Sequence, residues 1–398
     1  MAQVEGSKRV SLLDYGAGNV RSLRNAIRAL GYEIDDITTA AEITAASAIV
    51  FPGVGSFGQA MKSLRDKGWT EALRAYLLAD RPFFGICLGM QSLFEGSEES
   101  PEEVGLGIIP GRVTKFIPSS SSTVRVPQIG WNGLSPCKPS PLLESLHASD
   151  TVYFVHSFCA MPSEANRDWA LACTDYGEQR YISMVQRGNV CATQFHPEKS
   201  GAVGLAILRS FLSRSGAISS GAAGVPSMAD LAALPPTRLV KRVIACLDVR
   251  SNDQGDLVVT KGDQYDVREA GSAEGRGDVR NLGKPVALCA RYYEDGADEV
   301  VFLNITSFRQ GVLEDTPMLR VLELSSENVF VPLTVGGGIR EYTDPSSGQV
   351  YSALDVAARY FRAGADKVSI GSDAVYAAEE LLASGVRTGR SCIEVIST

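Results

Sequence analysis

Histidine is scarce in this chain, with three among 398 residues, and the eight cysteines at 87, 137, 159, 173, 191, 246, 289 and 392 include no pair with Cys-x-x-Cys spacing. A structural zinc site draws its four ligands from clustered Cys and His pairs, so that class is excluded. No flavin, nicotinamide or other metal signature is visible, and no cofactor is expected. Long apolar runs are missing too. Nothing approaches the roughly 18 residues that a membrane-spanning helix requires, so no membrane association is expected. Positive charge is not in excess: 38 Lys and Arg stand against 46 Asp and Glu, a net charge of −8, which argues against nucleic-acid binding. The residues before Val10 are short and polar. They have neither the apolar centre of a signal peptide nor the long Arg- and Ser-rich stretch of a transit peptide. Several cysteines sit in apolar runs (Cys246 in VIACLD, Cys191 in NVCATQF), where buried free thiols are common. A reducing, cytoplasmic location is expected.

What the chain does contain is ordinary core-forming material, 44% hydrophobic and 21% charged. Its length suggests two or three domains at about 150 residues each. Residues 214–237 are rich in Gly, Ser and Ala and close on Pro235 and Pro236, as a linker would. They separate a domain at 8–213 from one at 238–398. In the first, short apolar runs (VSLLDY, AIVF, PFFGIC) alternate with helical faces such as Val20, Leu23, Ile27 and Leu30, stopped by Gly31. LGMQSLFEG reads as a helix closed at Gly96, and residues 110–195 are richer in strand signals. In the second, VIACLD, EVVFLN, FVPLTV and DKVSIG are strands separated by helices, and 250–283 reads as a long mobile loop. Both halves are therefore α/β.

Three segments of the first domain carry chemistry. In GICLGMQ, Cys87 stands between a strand and a helix and is flanked by Gly85 and Gly89, the thiol form of a nucleophile elbow. Small neighbours permit the sharp turn, and the helix start behind it favours thiolate. In QFHPEKS, His196 follows a strand and Glu198 stands two residues on, a base beside an acid able to orient it. In FPGVGSFGQ, the turn after AIVF could expose backbone N–H groups to an oxyanion. In the second domain Asp248 ends a strand, and TVGGGIR and SIGSDAV are Gly- and Ser-rich strand ends suited to phosphate.

Residues 8–212 resemble the class I (triad) glutamine amidotransferases, whose catalytic signatures are the GICLGMQ elbow and the HPE segment. More narrowly, LDYGAGNVRSL, PGVGSFGQAM, PQIGWN and YFVHSF look like the glutaminase part of the imidazole glycerol phosphate synthases of histidine biosynthesis. The resemblance implies a flavodoxin-like three-layer domain in which Cys87 attacks the amide of glutamine, His196 is base and acid, and Glu198 orients it. The backbone at Leu88 and around Gly53 and Val54 would form the oxyanion hole, and Gln91 would contact glutamine.

The second domain resembles the cyclase barrel of the same family, which acts on a phosphorylated ribotide. The resemblance implies that Asp248 is one of two catalytic aspartates, that Lys261 helps bind substrate, and that Gly338 and Ser372 belong to one of two phosphate clusters. Arg242, Glu299 and Lys367 would ring the barrel bottom, where ammonia enters. From Arg238 to Thr398 there are 161 residues and four strands, whereas an eight-stranded barrel takes about 250 residues. The expectation is a truncated (βα)8 barrel of about four βα units, with an incomplete cyclase site and an open face prone to self-association. Two other readings are a non-catalytic or regulatory truncated isoform, and a glutaminase serving a separate acceptor.

Overall fold

The computed structural model describes residues 8–16, 20–53, 55–117, 125–214, 224–251, 257–260, 282–305, 316–343 and 347–386. The chain divides into two compact units, residues 1–241 and 242–398.

The first unit is built on a sheet whose centre is parallel. Its strands run in the order Glu33–Asp36, Arg9–Leu12, Ile49–Gly53, Phe83–Cys87 and Val190–Thr193. The last three are almost wholly buried, as continuous apolar runs covered on both faces should be. Beyond Val190–Thr193 the sheet continues antiparallel through Gln179–Arg187, which also pairs with Ala170–Tyr176. The helix Arg21–Ala29 buries Leu23, Ala26 and Ile27, and the chain turns at Gly31 with φ 85°. The segment LGMQSLFEG departs from expectation. Its helix is one turn, Leu88–Gln91, and Phe94–Ser97 is a strand that runs parallel to Ile109–Lys115. Tertiary pairing overrides the helical spacing there, with Phe94 fully buried. Residues 224–237, within the expected linker, carry a capped helix, Met228–Ala233. Its Leu231 is buried in the first unit's core, and Asp175 and Thr237 exchange two hydrogen bonds of 2.7 and 2.8 Å.

In the second unit four parallel strands, Ile244–Ser251, Glu299–Asn304, Leu333–Gly336 and Lys367–Ser369, lie in chain order. Helices Pro285–Glu294, Thr316–Ser325 and Ala353–Ala363 connect them, and Ser372–Ser384 follows the last. Within the stretch read as a loop, Leu257–Thr260 is a strand antiparallel to the first. The first strand alternates: Leu247 and Val249 are buried, while Ile244 is exposed. Cys246 falls on the exposed face, so its expected burial is wrong. An apolar run predicted a strand covered on both sides, and one side is open. The helix Ser372–Ser384 buries none of its residues.

Candidate active site

Cys87 is the last residue of its strand and the residue before a helical turn, with φ 52° and ψ −103°, a conformation that side chains other than glycine rarely adopt. Its neighbours make the turn feasible. A Cβ added at Gly85 would lie 2.7 Å from the Gly89 carbonyl oxygen, and one at Gly89 would lie 2.2 Å from that of Phe51. One at Gly53 would lie 2.4 Å from the Gly89 nitrogen. Gly53 pairs with Cys87 across the parallel ladder, so the turn after Ile49–Gly53 runs beside the nucleophile. Leu88 opens the helix on its other side. Val54 lies outside the described residues.

His196 reaches the same place because Val190–Thr193 pairs with the elbow strand and delivers the chain just beyond it. Its backbone N–H donates to Tyr153 at 3.0 Å, and the Ser200 hydroxyl donates to its carbonyl at 2.7 Å. The helix Gly201–Ser213 packs so tightly under this loop that a Cβ at Gly204 would lie 1.9 Å from the Pro197 oxygen. The imidazole Nδ1 is 2.8 Å from Glu198 Oε1, and Cys87 lies close enough to the same ring to favour its charged form. All three residues are buried. Burial works against charge on the imidazole. The facing Glu198 carboxylate and Cys87 sulfur outweigh it, and His196 is held well above its ordinary value. The set places a sulfur and an imidazole in one buried site, with a carboxylate fixing the ring.

Gln91 is buried on the helical turn after the nucleophile. Its amide nitrogen is 3.1 Å from the Phe158 carbonyl and 3.1 Å from Gln194 Oε1. Gln194, in the QFHPEKS segment, carries no motif signal of its own and places Nε2 3.4 Å from the Cys87 sulfur. His156 carries none either. It lies against Phe116, Phe154 and Tyr181 with ring centroids 5.2–5.7 Å apart. Burial pushes its pKa down to about 3. Strand alternation places such side chains inward, but no local spacing marks them as parts of a site.

The second unit has chemistry at both ends of its strands. At the C-terminal ends a cavity of about 620 Å³ is lined by Asp248, Asn304, Gly338, Arg340 and Ser372, among others. The structure thus brings together Asp248, Gly338 and Ser372, and adds Asn304 and Arg340, which had no assigned role. Gly338 has φ 71°, and Ser372 begins the helix Ser372–Ser384. Lys261 lies outside the described residues. At the strand starts, Glu299 is buried with Oε1 2.5 Å from Lys367 Nζ and 2.7 Å from the Thr334 hydroxyl. Its Oε2 is 3.7 Å from Arg242 Nε. Arg242, Glu299 and Lys367 therefore form one cluster. Burial lowers the Lys367 pKa against the pull of Glu299. Among the described residues no group of three His, Cys, Asp or Glu side chains is placed to hold a metal ion.

The family model described as glutamine amidotransferase class-I matches residues 11–214, and that described as histidine biosynthesis protein matches 242–396. The chloroplastic imidazole glycerol phosphate synthase hisHF of Arabidopsis thaliana is 56% identical over 388 residues, 98% of this chain and 63% of the plant protein. The hisHF protein of Schizosaccharomyces pombe is 50% identical over 396 residues, 98% of this chain and 70% of its own length. The imidazole glycerol phosphate synthase subunit HisH of Synechococcus sp. (strain JA-3-3Ab) is 44% identical over 205 residues, 51% of this chain and 93% of that subunit. The chain thus spans 63–70% of these two fused relatives.

Proposed function

Because the chain belongs to the imidazole glycerol phosphate synthases in their fused form, we propose that its first unit hydrolyses glutamine through Cys87, His196 and Glu198. The observation that carries this reading is the burial of Cys87, His196 and Glu198 at adjoining strand ends, with the imidazole 2.8 Å from the carboxylate. The Cys87 thiolate adds to the side-chain amide carbon. The backbone N–H of Leu88 and the turn at Gly53 and Val54 hold the oxyanion. The His196 imidazolium protonates the departing nitrogen, which leaves as ammonia, and a γ-glutamyl thioester remains. Neutral His196 then takes a proton from water as the oxygen attacks, and glutamate and the thiolate are released. Glu198 keeps the ring in place throughout.

Ammonia is delivered to the second unit, where the phosphorylated ribotide occupies the cavity at Asp248. Gly338, Ser372 and the start of helix Ser372–Ser384 hold a phosphate there, and Lys261 helps to bind the substrate. The cluster of Arg242, Glu299 and Lys367 at the opposite strand ends is the ammonia entrance. The four parallel strands form part of a (βα)8 barrel. The exposed Ile244 and Cys246 lie on the face that a closed barrel covers, which supports self-association or incomplete cyclisation by these 398 residues alone.

The test is ammonia release from glutamine by the full chain. C87S and H196N are expected to reduce it by at least about 10⁴-fold, as loss of a triad member does elsewhere. Ammonia release at the unaltered rate by C87S would overturn the assignment.

A further inference from the structure

We propose that Gln194 is a further catalytic residue, donating a hydrogen bond from its side-chain amide to the Cys87 sulfur under the direction of Gln91. The inference rests on the glutaminase reading above and extends it to the step in which the thioester breaks down.

The polarity of this contact is fixed from one end. The Phe158 carbonyl can only accept, so the Gln91 side chain must present its nitrogen there, at 3.1 Å. The same nitrogen then donates to Gln194 Oε1 at 3.1 Å. With its oxygen occupied in this way, Gln194 turns Nε2 toward the sulfur, at 3.4 Å. The reversed amide would set nitrogen against nitrogen at Gln91 and a lone pair against the thiolate. Gln194 is fully buried, and its backbone N–H is tied to Ser183 at 2.9 Å. It follows the strand that pairs with the elbow strand, Thr193 opposite Ile86, so the fold itself sets residue 194 beside residue 87.

The chemistry gives this donor a role that His196 does not fill. During thioester hydrolysis the water oxygen bonds to the acyl carbon and its proton passes to His196. The carbon–sulfur bond then breaks with its electron pair going to sulfur. His196 is engaged with the water while negative charge returns to the sulfur. An amide N–H keeps its proton at every pH of interest and stays on the sulfur throughout. Its loss therefore slows breakdown of the thioester more than its formation.

In a two-step acyl transfer, slowing only the second step lowers kcat and KM together and leaves kcat/KM in place. Gln194→Glu is isosteric. It accepts from Gln91 as before and turns an acceptor oxygen to the sulfur, while Gln194→Leu removes the donor altogether. With the full chain and glutamine, both variants are expected to lose about ten- to a hundredfold in kcat, the effect of one hydrogen bond to a charged group. KM should fall in parallel, with kcat/KM within about threefold. Acid-quenched protein should carry the γ-glutamyl adduct on Cys87 by mass spectrometry. Unaltered kcat in either folded variant, or a loss of kcat/KM with no adduct, would overturn the proposal. The two readings fail differently. Wild-type protein that releases no ammonia from glutamine sinks the glutaminase assignment, whereas normal wild-type turnover with an unchanged Gln194→Glu variant sinks the role of Gln194 alone.

Discussion

Around Cys87 backbone meets backbone: a Cβ at Gly89 or Gly53 would lie 2.2 or 2.4 Å from main-chain atoms. In the second unit the added Cβ at Gly336 would meet Leu303 Cδ2 at 2.9 Å and Ser369 Cβ at 3.2 Å, both side-chain atoms, and at Gly371 it would meet nothing within 4 Å. The first site is closed on itself, with Cys87, His196 and Glu198 all buried inside one sheet-and-helix unit. The second opens on one sheet face, where Ile244 and Cys246 are exposed on the strand that carries Asp248. A site whose supports are main-chain contacts closed within one unit comes complete with its domain. A site spread over the ends of successive strands depends on everything that flanks those strands.

The contrast has one exception, and it predicts the largest effect. Glu299 is at least as buried as Cys87, His196 and Glu198, and it joins Lys367, Thr334 and Arg242. Glu299→Ala leaves the partly buried Lys367 ammonium without its carboxylate and should destabilise the second unit by about 3–5 kcal/mol, read as a lower denaturant midpoint. A loss under about 1 kcal/mol would mean that the cluster is solvated and that no part of the second unit is built as tightly as the first. Next comes the glycine pair. Gly89→Ala forces the main chain apart and should cost about 3 kcal/mol, while Gly336→Ala meets most closely the flexible end of Leu303, with the Ser369 Cβ farther off at 3.2 Å, and should cost less than about 1.5 kcal/mol. Equal losses in thermal unfolding would erase the distinction.

The smallest effect is a slope. His156 is buried neutral, its pKa lowered to about 3. An unfolded chain takes up that proton near pH 6.5 and the folded one does not, so stability present above pH 6.5 is lost as pH falls toward 3. The slope approaches about 1.4 kcal/mol per pH unit. His196 acts in the opposite sense. Its raised pKa contributes stability that is complete below about pH 6.5 and declines as pH rises through the folded value. Between pH 6.5 and 5, above the carboxylate range, His156→Gln should flatten the dependence. An unchanged slope would show that the aromatic pocket admits the charge.

The same contrast explains what could be read in advance. Cys87, His196 and Glu198 were legible because each sits in a short motif whose residue types have one chemical use, and the strand order of an α/β unit brings the motifs together. Gln194 and His156 stood within quoted segments but gave no sign of a role, because that depends on which residue faces them across the sheet. LGMQSLFEG was misread since its helical spacing lost to pairing with Ile109–Lys115. Cys246 was misread since an apolar run does not reveal how many of its faces are covered.

The backbone angle at Cys87 carries a last consequence. A residue with a β-carbon at φ 52° and ψ −103° opposes its own local preference, at a cost of about 1–3 kcal/mol that the surrounding packing must sustain. Glycine in its stead would rest easily there. The polypeptide most at ease in this shape is therefore an inert one, and natural drift toward robustness at position 87 runs directly against retention of chemistry.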